Sequence, residues 1–375
     1  MPQVQRRLIT YCTNIHPGES WSETFASLAA HVPKIKKSVS PEHPFPIGLR
    51  LSARAARELA QGHSDSFAHW LRERDLFVPT INGFPFGAFH GTRVKEEVYL
   101  PDWRDPERGA YTRLLAGLLA DWLPEGGSGS ISTVPIGYKA HLGRQWQLQV
   151  RDHLFAVLLH LEKLRQEKGV DIVLALEPEP GCLLETAADL VDFLELMNFP
   201  QDLRNRIGIC LDCCHLALQF EEPAKVASLL AGAGVRIAKV QVSSALRQRH
   251  DRRKTLAPFQ EPCYLHQVVV RGPGGKLSCY PDLPDALVRH RGGADEEWRC
   301  HFHVPIFLEQ NGEFLTTRSF VEELLPLLDR RLLLEIETYS WEVLPPELRT
   351  GQVADAIIRE IRWLQEKSDE TDRRP

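Results

Sequence analysis

The segment ICLDCCH, residues 209–215, carries an apolar run into an aspartate, Asp212, and then into a histidine, His215. Two other segments make the same transition, LALEPEPG at residues 174–181 and LLLEIETYSW at residues 332–341. A single carboxylate at the end of a strand is often only the cap of the following helix. Three apolar strands that all end in carboxylates indicate instead a shared site at one edge of a sheet.

Apolar runs of strand length alternate with amphipathic helical segments along the chain. One helical segment stops at Gly169, and the next opens at a Thr186 cap. Eight such strands predict a parallel sheet covered by helices, and eight is the number that closes a (β/α)8 TIM barrel. An open doubly wound sheet is the alternative, but the first strand lacks the GxGxxG turn typical of it. The predicted strands are residues 8–12, 47–51, 77–82, 130–134, 171–177, 207–212, 237–243 and 332–337.

The spacing of the strand ends predicts a single elaborated domain over residues 1–366. From Gln241 to Glu337 is 337 − 241 = 96 residues, too many for one strand and one helix. We therefore expect an insertion at about residues 244–310, with a β-hairpin around residues 272–275, at the C-terminal mouth of the barrel. Residues 367–375 form a polar tail that we expect to be disordered.

Composition limits the classes of partner. The 375 residues include 43% hydrophobic residues, enough for a large core, and 45 basic and 50 acidic residues give a net charge of −5. This mixed surface argues against a nucleic-acid partner. No apolar run is long enough to span a membrane, the first residues lack a secretory pattern, and the eight cysteines form no disulfide framework, so we expect a cytoplasmic protein.

The strand ends predict a metal site. Strands five to eight of a barrel are neighbours, so their terminal polar side chains converge at one rim. Carboxylates brought together at a dry rim repel one another, and a divalent cation resolves that conflict. Oxygen donors of this kind suit Mn²⁺, Mg²⁺, Zn²⁺ or Fe²⁺, with positions left for water or substrate oxygens. The candidate ligands are Glu177, Asp212, Gln241, and Glu337 or Glu335.

Further polar residues follow the strands at the same mouth. His301 and His303, in the segment HFH, alternate on one strand face, and we expect an exposed position at the rim, near the metal or a proton-transfer path. Other side chains in the loops after the strands are placed to contact a substrate. The candidates for substrate binding are Asn14, His16, His90, Glu179 and His303.

The order of these motifs resembles the xylose isomerase-like barrel superfamily, which includes hydroxypyruvate isomerases, ketose 3-epimerases and metal-dependent AP endonucleases. More narrowly, the strings TYCTNIHPGESW, TINGFPFGAFHG, LDCCHLA, HFHVPIF and LEIETYSWEVLP resemble the metabolite-traffic protein family EboE. The resemblance runs through nearly the whole chain except the tail. It departs from the xylose isomerases proper on the seventh strand, where QVSS stands in place of a His-x-Asp motif.

The resemblance implies the same metal ligands and adds catalytic roles. Glu177 and Glu337 (or Glu335) would remove and return a carbon-bound proton through an enediolate, and His215 would contact the substrate. The implied activity is a metal-dependent isomerase or epimerase of a sugar or a cyclitol-like metabolite, in a biosynthesis or export pathway whose other proteins are its partners. Two alternatives stay open: a non-catalytic metabolite-binding or traffic protein, and a metal-dependent hydrolase or AP-endonuclease-like enzyme, against which the acidic net charge argues.

Overall fold

Eight parallel strands form the barrel sheet of a computed structural model that describes residues 7–143, 145–293, 295–311, 314–349 and 351–372. The strands are β1 (Ile9–Tyr11), β2 (Phe45–Arg50), β3 (Leu76–Asn82), β4 (Ser128–Thr133), β5 (Asp171–Leu176), β6 (Ile207–Asp212), β7 (Ile237–Val242) and β14 (Leu334–Ile336). Their order in the sheet is β1-β14-β7-β6-β5-β4-β3-β2. The predicted (β/α)8 fold is confirmed, and each predicted strand agrees with an observed one to within two residues at either end.

The Thr10 hydroxyl helps to close the barrel between β1 and β2. A parallel bridge also joins Gly48 of β2 to Cys12, which directly follows β1. The Thr10 hydroxyl donates to the Pro46 carbonyl at 2.7 Å and accepts from the Gly48 amide at 3.2 Å, so it takes the place of backbone partners. Gly48 also makes room inside the barrel, because a Cβ at this position would lie 1.7 Å from Oε1 of Glu335.

Helices cover the outside of the barrel, and their ends follow local signals. The predicted Thr186 cap is present, with its hydroxyl accepting from the amide of Asp189, and Gly169 ends the preceding helix with a φ of 66°. None of the described helices is long and apolar enough to cross a bilayer. The helices are α1 (Trp21–Val39), α2 (Ala53–Ala60), α3 (Ser64–Glu73), α4 (Pro106–Trp122), α5 (Gln147–Lys168), α6 (Ala187–Met197), α7 (Gln201–Arg204), α8 (Cys213–Leu218), α9 (Pro223–Gly232), α10 (Leu283–Arg289), α11 (Arg318–Leu324) and α12 (Val353–Asp372).

A second sheet lies between β7 and β14 in the chain. Its six strands pair antiparallel in the order β10-β9-β11-β8-β13-β12. The pair β9 and β10 forms a hairpin whose turn contains Gly274 and Gly275 with φ of 71° and 81°, values that glycine adopts readily. These strands are β8 (Leu246–Arg249), β9 (Val268–Arg271), β10 (Leu277–Tyr280), β11 (Glu297–Cys300), β12 (Gln310–Asn311) and β13 (Phe314–Thr316).

The polar tail is helical where the structure describes it. We expected disorder over residues 367–375, but α12 continues to Asp372. Asp372 pairs with Arg7 and with Arg330, and Ser368 is buried, so polar contacts and packing hold this segment against the barrel. Residues 373–375 lie outside the described residues. The expectation of disorder was therefore wrong up to Asp372, because a polar composition does not exclude a helix that docks by ion pairs.

Candidate metal and substrate site

Three carboxylates meet at the C-terminal end of the barrel. Asp212 is the last residue of β6, while Glu177 and Glu337 directly follow β5 and β14. One oxygen of each lies within 4.8 Å of an oxygen of the other two, and the three residues are only 0–4% exposed. Parallel strands place their carboxyl ends at one rim, and this explains how residues far apart in the chain come together.

Several polar atoms of this group have no hydrogen-bond partner among the described residues. They are Oε2 of Glu177, Oδ2 of Asp212, and both side-chain polar atoms of Gln241, which pairs in register with Asp212 across β6 and β7. A buried polar atom without a partner costs about 1–3 kcal/mol, so a cluster of such atoms is typical of a ligand-binding site. Carboxylate and amide oxygens fit a hard divalent cation such as Mg²⁺ or Mn²⁺.

Hydrogen bonds hold one oxygen of Glu337 and one oxygen of Asp212. Glu337 Oε1 accepts from Nδ2 of Asn14 at 2.7 Å and from Nδ2 of Asn82 at 3.0 Å. Asp212 Oδ1 accepts from the Ser243 hydroxyl at 2.8 Å and from the His215 amide at 2.9 Å. These bonds fix the orientation of the two side chains, and they leave Oδ2 of Asp212 available to a ligand.

Burial and mutual repulsion change the acidity of the group. Burial raises the pKa of Glu177 to about 7; a nearby His215 lowers it and a nearby Asp212 raises it further. Burial also raises the pKa of Glu337 well above its ordinary value, and the charges of Glu177 and Asp212 add to the effect. Burial and the neighbouring charges therefore favour the protonated forms of Glu177 and Glu337, and a bound cation would favour their charged forms.

Glu335 does not join these carboxylates. It lies deeper in the barrel, where its Oε2 accepts from Nζ of Lys239, and both residues are completely buried. Its position inside β14 is two residues before Glu337, so both side chains face the barrel interior but at different depths. Of the two candidate ligands on the eighth barrel strand, the structure brings only Glu337 to the other carboxylates. The structure therefore favours Glu337 over Glu335 as the ligand, because Lys239 already compensates the charge of Glu335.

Three histidines form a second group beside the carboxylates. His301 and His303 follow β11 rather than lying within a strand, and they are 3% and 0% exposed. The expectation of an exposed rim position was wrong, because both rings are enclosed by bonded neighbours, Gln267 for His301 and Glu337 for His303. Nε2 of His301 lies 3.2 Å from Nε2 of His215 and 3.1 Å from Nε2 of His303.

A cavity of about 50 Å³ opens onto both groups, and aromatic side chains form one wall. Glu179 lines the cavity, as predicted for a substrate contact, and its Oε1 accepts from the Tyr99 hydroxyl at 2.8 Å. The polar side chains along the cavity include Asn14, Asn82, Glu177, His215, His301 and Glu337, and the aromatic ones include Phe84, Phe89, Tyr99, Tyr264 and Tyr339.

Three of the predicted substrate contacts do not line the cavity. His16 bonds with the Tyr11 hydroxyl at 3.1 Å and stacks on His31, and burial lowers its pKa to about 3. His90 packs edge-on against Phe89, and burial lowers its pKa to about 4. His303 does not line the cavity, although its Nε2 lies 3.1 Å from Nε2 of His301, which does. For His16 and His90, a position in a loop after a strand did not place the side chain at the site, because each packs against neighbouring rings instead.

Sequence reasoning missed several residues that shape the site. Asn82 ends β3 after an apolar run, so the rule that found Asp212 would have found it as well. Ser243 follows β7 within the quoted QVSS string, and its hydroxyl donates to Asp212. Serine is common in loops, so its position alone did not mark it as part of the site. Tyr99 and Gln267 bond to each other at 3.0 Å, and neither carries a local signal, because their contacts join segments 168 residues apart in the chain.

Comparison with solved structures identifies the fold as that of the xylose isomerase-like TIM barrels. One such barrel protein from Mycobacterium smegmatis, solved in complex with magnesium, matches with a TM-score of 0.56 and 11% identity, over 99% of both chains. L-ribulose 3-epimerase matches with a TM-score of 0.54 and 13% identity, over 98% of this chain and 96% of the other.

D-allulose 3-epimerase from Methylomonas sp., solved in complex with D-allulose, matches with a TM-score of 0.51 and 13% identity, over 96% of this chain and 98% of the other. No family model and no curated protein matches the sequence. At these identities the likeness establishes the fold, and the argument about function has to come from the site itself.

Proposed function

We propose that the protein is a metal-dependent isomerase or epimerase of a small polyhydroxylated carbonyl compound. The observation that carries this proposal is the buried group of Glu177, Asp212 and Glu337, with unpaired carboxylate oxygens beside a cavity that Glu177 and Glu337 line. The structural neighbours support the same class of reaction, since two of them are 3-epimerases of ketoses.

The residues that would hold the metal are Glu177, Asp212, Gln241 and Glu337. A divalent cation bound there would draw electrons from neighbouring carbonyl and hydroxyl oxygens of a substrate and so acidify the adjacent C–H bond. Asn14 and Asn82 keep the Glu337 carboxylate in place through their amide hydrogens. Ser243 does the same for Asp212. These bonds reduce the entropy lost when a ligand is bound.

The proton transfer is assigned to the two glutamates. Glu177 has an unpaired Oε2, and burial raises its pKa to about 7, the range in which a carboxylate can both accept and return a proton. Glu337 has a raised pKa for the same reason, and one of its oxygens lies within 4.8 Å of an oxygen of Glu177. Together they can take a proton from a substrate carbon and return it at the same or a neighbouring carbon, through an enediolate. His215, which lines the cavity, would bond a substrate oxygen.

The resemblance to the EboE family extends the proposal to the cellular role. It supports a cytoplasmic enzyme that handles a sugar-like or cyclitol-like metabolite within a biosynthesis or export pathway, in the company of other proteins of that pathway. The motifs quoted above carry this part of the proposal, whereas the site geometry carries the reaction class. A metabolite-binding protein without catalysis would use the same cavity. The experiment below distinguishes that alternative from the proposed enzyme.

Hydrogen exchange with solvent tests the proposal. We expect protein supplied with Mn²⁺ to incorporate deuterium from ²H₂O at a carbon beside the carbonyl group of L-ribulose or D-allulose, as detected by NMR. Glu177→Gln is expected to reduce the rate by about 10²–10⁴-fold, the usual contribution of acid–base catalysis. Binding of these sugars without any exchange would contradict catalysis and favour a binding protein.

Glu221→Gln is a matched control for this substitution. Burial also raises the pKa of Glu221 to about 7, but its carboxylate accepts from the Ala187 amide at 3.2 Å and lies outside the cavity lining. The same chemical change at a comparably perturbed glutamate should leave exchange unchanged. An equal loss in both variants would show that the effect of Glu177→Gln is structural.

A further inference from the structure

The cavity beside the carboxylates is too small for the ligand that the proposed function requires. Its volume is about 50 Å³, whereas pockets that hold small molecules usually measure about 300–1,000 Å³. Glu177 and Glu337 line the cavity, so a ligand that reaches these carboxylates has to occupy this space. Part of the cavity wall must therefore move when a sugar-sized molecule enters.

Two segments cover the cavity beyond the ends of the barrel strands. One is the loop after β3, whose lining residues include Phe89, Val94 and Val98. The other belongs to the insertion after β7 and contributes Tyr264 and Leu265. Loops that follow the strands of a TIM barrel lie at its C-terminal mouth. These two segments therefore form the side of the cavity that faces away from the barrel interior.

The loop after β3 is anchored to the barrel at two points. The amide of Phe89 donates to Oε1 of Glu19 at 2.7 Å, and the Tyr99 hydroxyl donates to Oε1 of Glu179 at 2.8 Å. Residues 91–98, between these anchors, make a different set of contacts. Among the residues that the structure describes, the hydrogen bonds that leave this segment all go to the insertion.

Backbone and side-chain bonds hold residues 91–98 against the insertion. The amides of Val94 and Lys95 both donate to the Cys263 carbonyl at 2.8 Å. Nζ of Lys95 donates to Oδ2 of Asp282 at 2.6 Å and to the Glu261 carbonyl at 3.3 Å. When the segment moves away, water can replace each of these partners, so the separated groups regain hydrogen bonds.

The apolar contacts of this segment lie mostly outside the main core. Val94 forms, with Phe89 and Tyr264, a small cluster of buried side chains that is separate from the large hydrophobic core. The rings of Phe89 and Tyr264 have centroids 5.2 Å apart, and the half-buried Val98 packs against both clusters. A segment with few buried apolar contacts opens at a lower free energy than the core does.

We infer that residues 91–98 form a lid, which opens by leaving the insertion and so admits the ligand to the cavity. Gly91 provides the hinge at the start of the lid, since its φ of 67° is accessible to glycine and a Cβ there would meet no atom within 4 Å. Val94 and Lys95 line the cavity, so closure would cover a bound ligand and exclude water. The identity of the ligand rests on the proposed function, whereas the motion of the lid can be measured without any ligand.

Amide hydrogen exchange on the full-length protein, resolved by residue, tests the motion directly. The amides of Val94 and Lys95 exchange with ²H₂O only when the lid leaves the Cys263 carbonyl. We expect both to exchange on the order of 100-fold faster than the amide of Leu174 in β5, which bonds to the Arg206 carbonyl at 2.8 Å. Equal protection at these three amides would overturn the inference.

A reversible clamp tests whether the lid controls entry. Residues 94 and 263 pack in the same small cluster and share a backbone hydrogen bond, so Val94→Cys places a thiol beside the native Cys263. Oxidised glutathione should join the two thiols as a disulfide and slow the exchange of the Lys95 amide to the level of Leu174. Deuterium incorporation into L-ribulose in the presence of Mn²⁺ should be lost, and it should return when dithiothreitol reduces the disulfide.

The double variant Val94→Cys/Cys263→Ser is the matched control, because it carries the new thiol without its partner. The same oxidant should leave both of its readouts as they were before treatment. If the clamped protein acts on L-ribulose as fast as the reduced protein, the inference is overturned. If neither form acts on the sugar while the clamp still protects the Lys95 amide, the lid is confirmed and the proposed function fails.

Discussion

Replacing Lys239 with methionine should destabilise the protein severely, because it isolates a buried charge. Lys239 and Glu335 are both completely buried. Among the described residues Oε2 of Glu335 bonds with Lys239, and Oε1 has no hydrogen-bond partner. Breaking a buried ion pair by removing one partner costs about 3–5 kcal/mol, whereas replacing both partners by apolar residues is often close to neutral. We therefore expect Lys239→Met to lower the free energy of unfolding by about 3–5 kcal/mol.

Urea unfolding of two further variants gives this prediction its controls. The double variant Lys239→Met/Glu335→Leu should recover most of the lost stability and should bind Mn²⁺ as the unaltered protein does, since Glu335 is not a ligand. Lys34→Met breaks an exposed pair with Asp355, whose side chains are 46% and 54% exposed, and should cost less than about 1 kcal/mol. Loss of Mn²⁺ binding in the double variant, or a negligible effect of Lys239→Met, would refute this account of the barrel interior.

Two other predictions follow from buried groups near the site. His303→Ala should lower the free energy of unfolding of chelator-treated protein by about 1–3 kcal/mol, because it leaves the Glu337 carbonyl without its donor; unchanged urea unfolding would contradict this. Burial raises the pKa of Glu360 from an ordinary 4.5 to about 7. The folded chain therefore binds this proton more tightly than the unfolded chain, which stabilises the fold fully below about pH 4.5. The stabilisation is lost as the pH rises to about 7. Glu360→Gln should flatten the decline of stability across that window, and a parallel pH profile in the variant would count against it.

The sequence predicted the barrel and the rim carboxylates because both depend on local patterns. Strand-length apolar runs alternate with helices, and the strand-end positions of Glu177 and Asp212 are visible in the sequence without any knowledge of contacts. Parallel topology then brings such ends together. The choice between Glu335 and Glu337 could not be made from the pattern, since residues two apart on a strand share a face, and only the position of Lys239 separates them.

The histidines show the other limit of sequence reasoning. The HFH motif was visible, but its burial depends on the fold of an insertion that contacts the barrel mouth. The contact between His301 and His215 joins residues 86 apart in the chain. The orientation of the His301 ring depends on a hydrogen bond to Gln267, which no local sequence pattern marks as part of the site. Long-range contacts of this kind are set by tertiary packing and not by periodicity.

Anomalous diffraction from crystals soaked in Mn²⁺ tests the central claim most directly, because it locates the ion among the four proposed ligands. The account predicts a peak bonded by Oε2 of Glu177, Oδ2 of Asp212, the Gln241 side chain and Glu337, and the loss of that peak in Asp212→Ala. No peak at these residues in fully soaked crystals, or an undiminished peak in Asp212→Ala, would contradict the metal site on which the proposed function depends.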